Sequence, residues 1–391
     1  KNIRKNVMMP GNAKLRHVEI EKRNQELAEA ANTLPINRVE MNDTKIGVIT
    51  SGIPYQYVKE ALPNASVLKL GMVNPLPRKL IEDFASKVEK LYIVEELDPV
   101  IEEQVKSWGI KATGKEIFTV QGEYSANMLR EAILGEELKL DAPAAAPGRP
   151  PILCPGCPHR SVYYVLNKLK MHAAGDIGCY TLGNAMPLDM VDTCLCMGAG
   201  LNIAQGVEKV EPDTTCFAFV GDSTFFASAI TGVVNAVYNQ ANMVLVVLDN
   251  STTAMTGHQP HPGTGRTVMG EIVQKINIEQ VLRGIGVTEI ETINPLELEA
   301  SVSCVKRMAE KSGVRAIIFK APCIAVTKPK APLHVDQDSC IGCKKCIRDL
   351  GCPAIVMNDG KICIDASMCT GCHLCSQVCP VCAIAGGDDY E

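Results

Sequence analysis

Short apolar runs alternate with amphipathic segments along residues 40 to 140. Ile46–Thr50, Val67–Leu70 and Leu91–Val94 read as strands, the first followed by a Ser51-Gly52 turn. Pro77–Val88 and Pro99–Trp108 carry helical periodicity between them. That alternation predicts a small α/β unit with a mostly parallel sheet. Ahead of it, residues 1–40 predict a polar, charged arm with helical character over Glu19–Ala31. Behind it, residues 141–151 are rich in Ala and Pro and predict a linker. The pattern then changes. Thr215–Val220 and Met243–Asp249 are unbroken apolar runs, as parallel strands covered on both faces require, so residues 152–328 predict a second, larger α/β domain. From residue 331 to 391 the elements shorten. Ala354–Met357 and Lys361–Ile364 flank an Asn358-Asp359-Gly360 turn, a hairpin signal.

Composition narrows the classes of function. A chain of 391 residues, 46% hydrophobic and 21% charged, has material for two to four domains with sizeable cores. No apolar stretch reaches the roughly eighteen residues of a membrane span. A net charge of −5 gives no basic footprint for nucleic acid, and 4% aromatic residues disfavour a base-stacking surface. Eighteen cysteines with no secretory signal peptide predict a reducing, anaerobic cytoplasm. The chain begins at Lys1 rather than methionine, which reads as a linker cut from something upstream or as a processed or engineered terminus.

Eight of those cysteines fall in two matched runs. Cys340, Cys343 and Cys346 precede Cys352-Pro353, and Cys369, Cys372 and Cys375 precede Cys379-Pro380, with 29 residues from Cys340 to Cys369. Such runs hold two [4Fe-4S] cubanes, the fourth cysteine of each run serving the other cluster. The expected ligand sets are Cys340, Cys343, Cys346 with Cys379, and Cys369, Cys372, Cys375 with Cys352. Disulfides need an oxidising compartment, and structural zinc favours two separated pairs. One irregularity stands out: five residues separate Cys346 from Cys352, where bacterial ferredoxin runs have three. It reads as a local insertion or as an altered cluster. Cys363 and Cys382 read as packed thiols.

The strand Thr215–Val220 runs into Gly221-Asp222-Ser223, and the next runs into Asn250-Ser251-Thr252. A carboxylate and a carboxamide at the carboxyl ends of neighbouring parallel strands sit where α/β sheets bind ligands, and both are hard oxygen donors suited to Mg2+. Glycine before the aspartate admits a phosphate close to the backbone. Upstream, Met197-Gly198-Ala199-Gly200 opens a helical segment, a candidate diphosphate cradle. The combination resembles the diphosphate domain of thiamine diphosphate enzymes, whose pattern the 28-residue separation of Asp222 and Asn250 follows. The resemblance implies that Asp222 and Asn250 bind Mg2+ by side chain and Thr252 by its carbonyl, with Gly198, Gly200, Gly221 and Ser223 around the cofactor.

Four further cysteines extend it. Cys154-Pro155-Gly156-Cys157, Cys179 in Asp176-Ile177-Gly178-Cys179, and Cys323 after Pro322 resemble the ligands of a cluster near the thiamine in 2-oxoacid:ferredoxin oxidoreductases. The resemblance implies a third, proximal [4Fe-4S] cluster on Cys154, Cys157, Cys179 and Cys323, although Pro158-His159-Arg160 departs from the glycine that follows in most relatives. The stretches from Cys154 to Arg160, Asp192 to Gly200 and Thr253 to Pro260, with a fused double-cluster region, resemble the α subunit of the indolepyruvate branch from about residue 40 onward. Residues 41–140 then correspond to its transketolase C-terminal-type domain. Cys194, Cys196, Cys216 and Cys304 read as core thiols.

That resemblance implies oxidative decarboxylation of an aryl 2-oxoacid to acyl-CoA and CO2, with electrons passing through the clusters to a ferredoxin. Coenzyme A, a β subunit and a missing pyrimidine-binding domain or chain are the implied partners, in a hetero-oligomer. Alone, the chain is expected to bind thiamine diphosphate poorly. His159 and His258 are candidate catalytic residues, with Arg160 and His261 behind them. The rivals are the same chemistry on pyruvate, a branched-chain oxoacid or phenylglyoxylate, a non-oxidative thiamine enzyme, and an electron-transfer module without catalysis.

Overall fold

A computed structural model describes residues 1–137 and 146–386, so part of the expected linker, residues 141–145, and the last five residues of the expected cluster domain lie outside the described residues. The chain divides into two units, Lys1–Pro147 and Gly148–Glu391.

In the first unit a short turn, α1 (Ile3–Asn6), precedes the 22-residue helix α2 (Pro10–Ala31). Proline in its first turn suits a helix start, where the missing N–H has no partner to lose. Only Ala31 of α2 is buried. The helix begins nine residues earlier than its apolar pattern suggests, because a solvated charged segment shows no face to read. The arm ends inside the sheet: β1 (Arg38–Glu40) pairs antiparallel with β3 (Ala65–Leu70), while β2 (Asp43–Ser51), β3 and β4 (Lys90–Val94) run parallel in the order β1-β3-β2-β4. Buried Asn37 fixes this junction. Its amide donates to Ala31 O at 2.8 Å and its Oδ1 accepts from Gly71 and Met72 N–H at 2.8 and 3.0 Å. Helices α3 (Pro54–Ala61), α4 (Arg78–Ala85), α5 (Val100–Ser107) and α6 (Ala126–Leu129) cover the sheet. Val48, Val67 and Val94 face one apolar layer, and Ile49, Leu68 and Ile93 the other. Two covered faces with a two-residue period explain why these strands read as continuous apolar runs.

The second unit is built on five parallel strands in the order β5-β6-β7-β9-β8. In chain order come α7 (His159–Leu169), β5 (His172–Ala174), α8 (Ala199–Val210), β6 (Cys216–Gly221), α9 (Asp222–Thr224), α10 (Ile230–Tyr238), β7 (Met243–Asp249), α11 (Ile278–Ile285), β8 (Glu289–Ile293), α12 (Leu298–Glu310) and β9 (Val314–Lys320). Every residue of β6 and β7 is buried. Phe217 and Phe219 face one layer, Ala218 and Val220 the other.

The cysteine-rich segment adds β10 (Leu333–Val335), α13 (Lys345–Arg348), β11 (Ile355–Asn358), β12 (Lys361–Ile364), α14 (Leu374–Val378) and β13 (Ile384–Gly386). β10 pairs with β13, and β11 with β12, both antiparallel. The hairpin turns through Asp359 and Gly360, both at positive φ, +46° and +77°, the conformation that an Asp-Gly pair favours. This segment has no core of its own. Leu350, Leu374 and Val378 belong to the same apolar cluster as Tyr163, Leu166 and Met308. Gln377 seals the contact, accepting from Leu298 N–H at 2.9 Å and donating to Leu296 O at 2.8 Å. At this length a core is marginal, and α7 and α12 extend it. The regions expected at 152–328 and 331–391 are therefore packed as one unit. Among the described residues no helix is long and apolar enough to cross a membrane.

Candidate active site

The carboxyl ends of β6 and β7 open into a cleft lined by Gly221, Asp222, Ser223, Asn250, Thr252 and His159. Asp222 is 3% exposed. Its Oδ1 accepts from Ser223 N–H and its Oδ2 from Ser251 N–H, each at 2.8 Å. The Ser251 N–H is shared with Asp249 Oδ1 at 3.1 Å. Asn250 Oδ1 accepts from Thr252 N–H at 3.3 Å, which orients the carboxamide. Burial, and after it the charge of Asp222, raises the Asp249 carboxyl, which Lys320 offsets only in part from 3.4 Å. Two buried carboxylates tied to one N–H leave uncompensated negative charge among hard oxygens, a setting that fits a divalent cation. Among the described residues no three His, Cys, Asp or Glu side chains converge on a single metal position. A site made of one carboxylate, a carboxamide and a carbonyl does not need that convergence.

The histidines separate clearly. His159 is buried, and Asn250 Nδ2 lies 3.3 Å from its Nε2. The amide nitrogen can only donate, so Nε2 accepts and the ring proton sits on Nδ1. Burial lowers the His159 pKa to about 4, so the imidazole is neutral. His258 is exposed, at φ +63°, and is not in the cleft lining. His261, three residues on, is buried with Nε2 3.1 Å from Asp222 Oδ2. That contact is at ion-pair distance but misaligned for a hydrogen bond. Gly263 N–H donates to His261 Nδ1 at 3.2 Å, which leaves the ring proton on Nε2, facing the carboxylate. Arg160 is also buried and does not face the cleft. Its guanidinium donates to the carbonyls of Leu153, Cys154, Leu350 and Gly351.

Two residues without an assigned role in the sequence organise the cleft wall. Asp176, 1% exposed, accepts from Gly198 N–H at 2.7 Å through Oδ1 and from the Tyr180 hydroxyl at 2.7 Å through Oδ2. The same hydroxyl accepts from Gly221 N–H at 3.0 Å. Burial, the largest effect, raises the Asp176 pKa against these hydrogen bonds. The Gly198 N–H is thus committed inside the protein, and Met197 rather than Gly198 or Gly200 lines the cleft. Gly200 is required for packing: a Cβ there would lie 2.5 Å from Gly175 O. At Gly221 a Cβ would lie 2.8 Å from the Tyr180 ring, so glycine lets the tyrosine reach the strand end. An acid between Gly175 and Ile177 was the available signal for Asp176; its partners lie 22 and 4 residues away.

The cysteines fall in three neighbourhoods, none of which closes to metal-binding geometry among the described residues. Cys340, Cys343, Cys346 and Cys379 line one cavity. Cys352 lies with Cys369, Cys372 and Cys375, where burial, then the neighbouring thiols, pushes Cys375 up to about 12. Cys154, Cys157 and Cys323 are neighbours, and Cys179 lies close to Cys154 and Cys323. Burial pushes Cys157 up to about 12; such thiols ionise when iron binds. Backbone N–H groups of Leu333 and Ala383 point at Cys369 Sγ and Cys379 Sγ, at 3.4 and 3.3 Å. Cys179 also lines the cleft, and Cys323 N–H donates to Asn250 O at 2.9 Å. The third cysteine site and the oxygen site are therefore joined. Cys216 and Cys304 are core thiols, whereas Cys194, Cys196 and Cys382 are exposed, contrary to the packing expected of them; Cys363 is half-buried. Loop and turn positions override the apolar preference of an isolated thiol.

A parallel sheet with this constellation at its strand ends defines the binding domain of a thiamine enzyme. Residues 176–319 match the family model of the C-terminal TPP-binding domain of thiamine pyrophosphate enzymes. The indolepyruvate oxidoreductase subunit IorA of Archaeoglobus fulgidus is 37% identical over 412 residues, covering 97% of this chain and 66% of the relative. That of Methanothermobacter marburgensis is 37% identical over 415 residues, covering 98% and 67%. The chain belongs to this IorA family and spans about two thirds of the length of the relatives it matches. The solved 2-oxoglutarate:ferredoxin oxidoreductase from Magnetococcus marinus aligns over 49% of this chain and 71% of that one, with TM-score 0.40 and 19% identity, a likeness too low to carry weight.

Proposed function

We propose that this chain carries the thiamine diphosphate and iron–sulfur sites of an oxidoreductase that oxidatively decarboxylates aryl 2-oxoacids of the indolepyruvate type to acyl-CoA and CO2, with ferredoxin as electron acceptor. The observation that carries the reading is the junction of the two sites: Cys179 lines the cleft of Asp222 and Asn250, and Cys323 is hydrogen-bonded to Asn250. Thiamine diphosphate, when bound, supplies the electron sink that lets a 2-oxoacid lose CO2. The cysteine sites suit [4Fe-4S] clusters, which supply one-electron carriers.

The chain's own groups divide the remaining work. Asp222 and Asn250 by side chain, and Thr252 by its carbonyl, would hold Mg2+ as an anchor for the diphosphate. Asp176 and Tyr180 fix the backbone at Gly198 and Gly221, so the cleft wall is set before any ligand enters. His159 is neutral and keeps its proton on Nδ1, which suits it to hydrogen bonding or proton transfer and not to pairing a carboxylate by charge. Its position two residues after Cys157 places it where cleft and cysteine site meet. A β subunit and a pyrimidine-binding domain or chain complete the assembly.

The test uses the anaerobically prepared complex. Iron is counted per chain, and CoA-dependent ferredoxin reduction is compared for indolepyruvate, pyruvate, a branched-chain oxoacid and phenylglyoxylate. About twelve irons per chain fit three cubanes, with indolepyruvate the preferred substrate. Iron near zero, or full activity after Asp222→Ala, overturns the proposal. A preference for another oxoacid overturns only the aryl assignment.

A further inference from the structure

The five-residue gap between Cys346 and Cys352 has a structural counterpart. Its last two residues, Leu350 and Gly351, both offer their carbonyls to Arg160, with Nη1 at 2.6 and 2.8 Å. The other terminal nitrogen of Arg160 donates to Leu153 and Cys154, at 2.6 and 3.3 Å. One guanidinium thus ties the loop that carries Cys154 to the loop that ends in Cys352. It is 3% exposed, and among the described residues no carboxylate shares its hydrogen bonds. Leu350 is wholly buried, and Gly351 at φ +58° is wedged against Pro187, with no room for a Cβ. Arg160 Nε has no partner. A buried, uncompensated guanidinium with an unpaired donor is costly unless something anionic lies near it. Its guanidinium lies against the Cys154 carbonyl on one side and, on the other, the Gly351 carbonyl that immediately precedes Cys352. Arginine alone combines a permanent charge with a planar fan of donors able to span two loops.

We propose that Arg160 is a positioning residue that clamps the Cys154/Cys157 site to the Cys352/Cys369/Cys372/Cys375 site, and that the lengthened Cys346–Cys352 gap exists to receive it. The clamp fixes the separation of two cysteine sites and places one positive charge between them. This role rests on the iron–sulfur reading of those cysteines.

The experiment compares the complete complex with its Arg160→Gln and Arg160→Lys variants. Three readouts are taken: amide hydrogen exchange at residues 349–352, iron per chain, and the midpoint potential with spin–spin broadening of the cluster signals in paramagnetic resonance. Gln removes both charge and fan. Exchange should rise by about tenfold or more, broadening should weaken, and the potential of the affected cluster should fall as a nearby positive charge is lost. Lys keeps the charge without the fan. Exchange should rise as for Gln while the potential stays near that of the unaltered protein. A Gln variant that fails to load iron beside a Lys variant that loads and exchanges faster also supports the clamp. Both variants loading fully with unaltered exchange, broadening and potential overturns it. If the unaltered complex carries no iron, the iron–sulfur reading falls, while exchange at 349–352 still decides whether Arg160 holds the two loops.

Discussion

Each unit of this protein places an acid at the carboxyl end of a parallel strand, and the two acids meet different fates. In the first unit β4 runs into Glu95, which is buried. Both of its oxygens are taken by the start of α5, with Ile101 N–H at 2.9 Å and Glu102 N–H at 2.8 Å. Burial raises the Glu95 pKa, and the two backbone hydrogen bonds oppose the rise. In the second unit β6 runs into Asp222, which is equally buried but lines an open cleft beside Asn250. The first acid is spent on satisfying a helix N-terminus. The second accepts from Ser223 N–H in the short α9 and from Ser251 N–H, meets a histidine, and still lines the cleft. Strand-end position alone therefore does not make a site of this kind. What decides is whether the donors that the acid captures close it off.

The sharpest way to break the comparison is Asp222→Ala. It should weaken binding of thiamine diphosphate with Mg2+ to the complex at least about 100-fold, measured by calorimetry, with the circular dichroism spectrum unchanged. Retained affinity would make Asp222 a mere backbone anchor like Glu95. Thiols give a second contrast. Cys323→Ser should lower iron from about twelve to about eight per chain, while Cys304→Ala should leave it unchanged. Cys304 is a core thiol that burial, then its contact with Glu291, pushes up to about 12. An equal iron loss from both would dissolve the distinction between ligand and core cysteine.

Glu95→Ala should destabilise the first unit by about 1–2 kcal/mol through loss of the cap, seen in denaturant unfolding, with no change in cofactor affinity. The smallest effect belongs to a surface acid, Glu40, which accepts from Lys59 and Tyr55 at 2.7 Å each. Those bonds lower its pKa, Lys59 contributing most. A lowered folded-state value means the stabilisation is present above the unfolded pKa and is lost as pH falls through the folded one. Glu40→Gln should therefore cost under about 1 kcal/mol at neutral pH. Its unfolding curve should converge with that of the unaltered protein in acid.

The strands were the most legible part of the chain. β7 and β12 occupy the very residues their patterns mark, and β6 is displaced by one, because two-sided burial leaves an unambiguous apolar run. The Asp359-Gly360 turn was legible for a local reason, since its chemistry lies within two residues. The pairing of Cys352 with Cys369, Cys372 and Cys375, and the grouping of Cys154, Cys157, Cys179 and Cys323, came from resemblance and spacing, and stand as proposals that the iron count tests. Less was legible where partners are remote. The Tyr180 hydroxyl meets Gly221 41 residues away, and Arg160 meets Leu350 190 residues away. Long polar side chains take their direction from the finished fold. His258 and His261 share one loop and look alike in sequence, yet opposite burial separates them. The common core of the sheet and the cysteine-rich segment was hidden for another reason: composition marks a boundary between segments and says nothing about which faces they later share.

The hydrogen bond from Cys323 N–H to Asn250 O makes the loops after β7 and β9 move as one element. The loop that carries Cys323 also supports Asn250, the residue proposed to hold the metal of the diphosphate anchor. A shift of that loop would therefore reach Asn250 directly through one backbone bond.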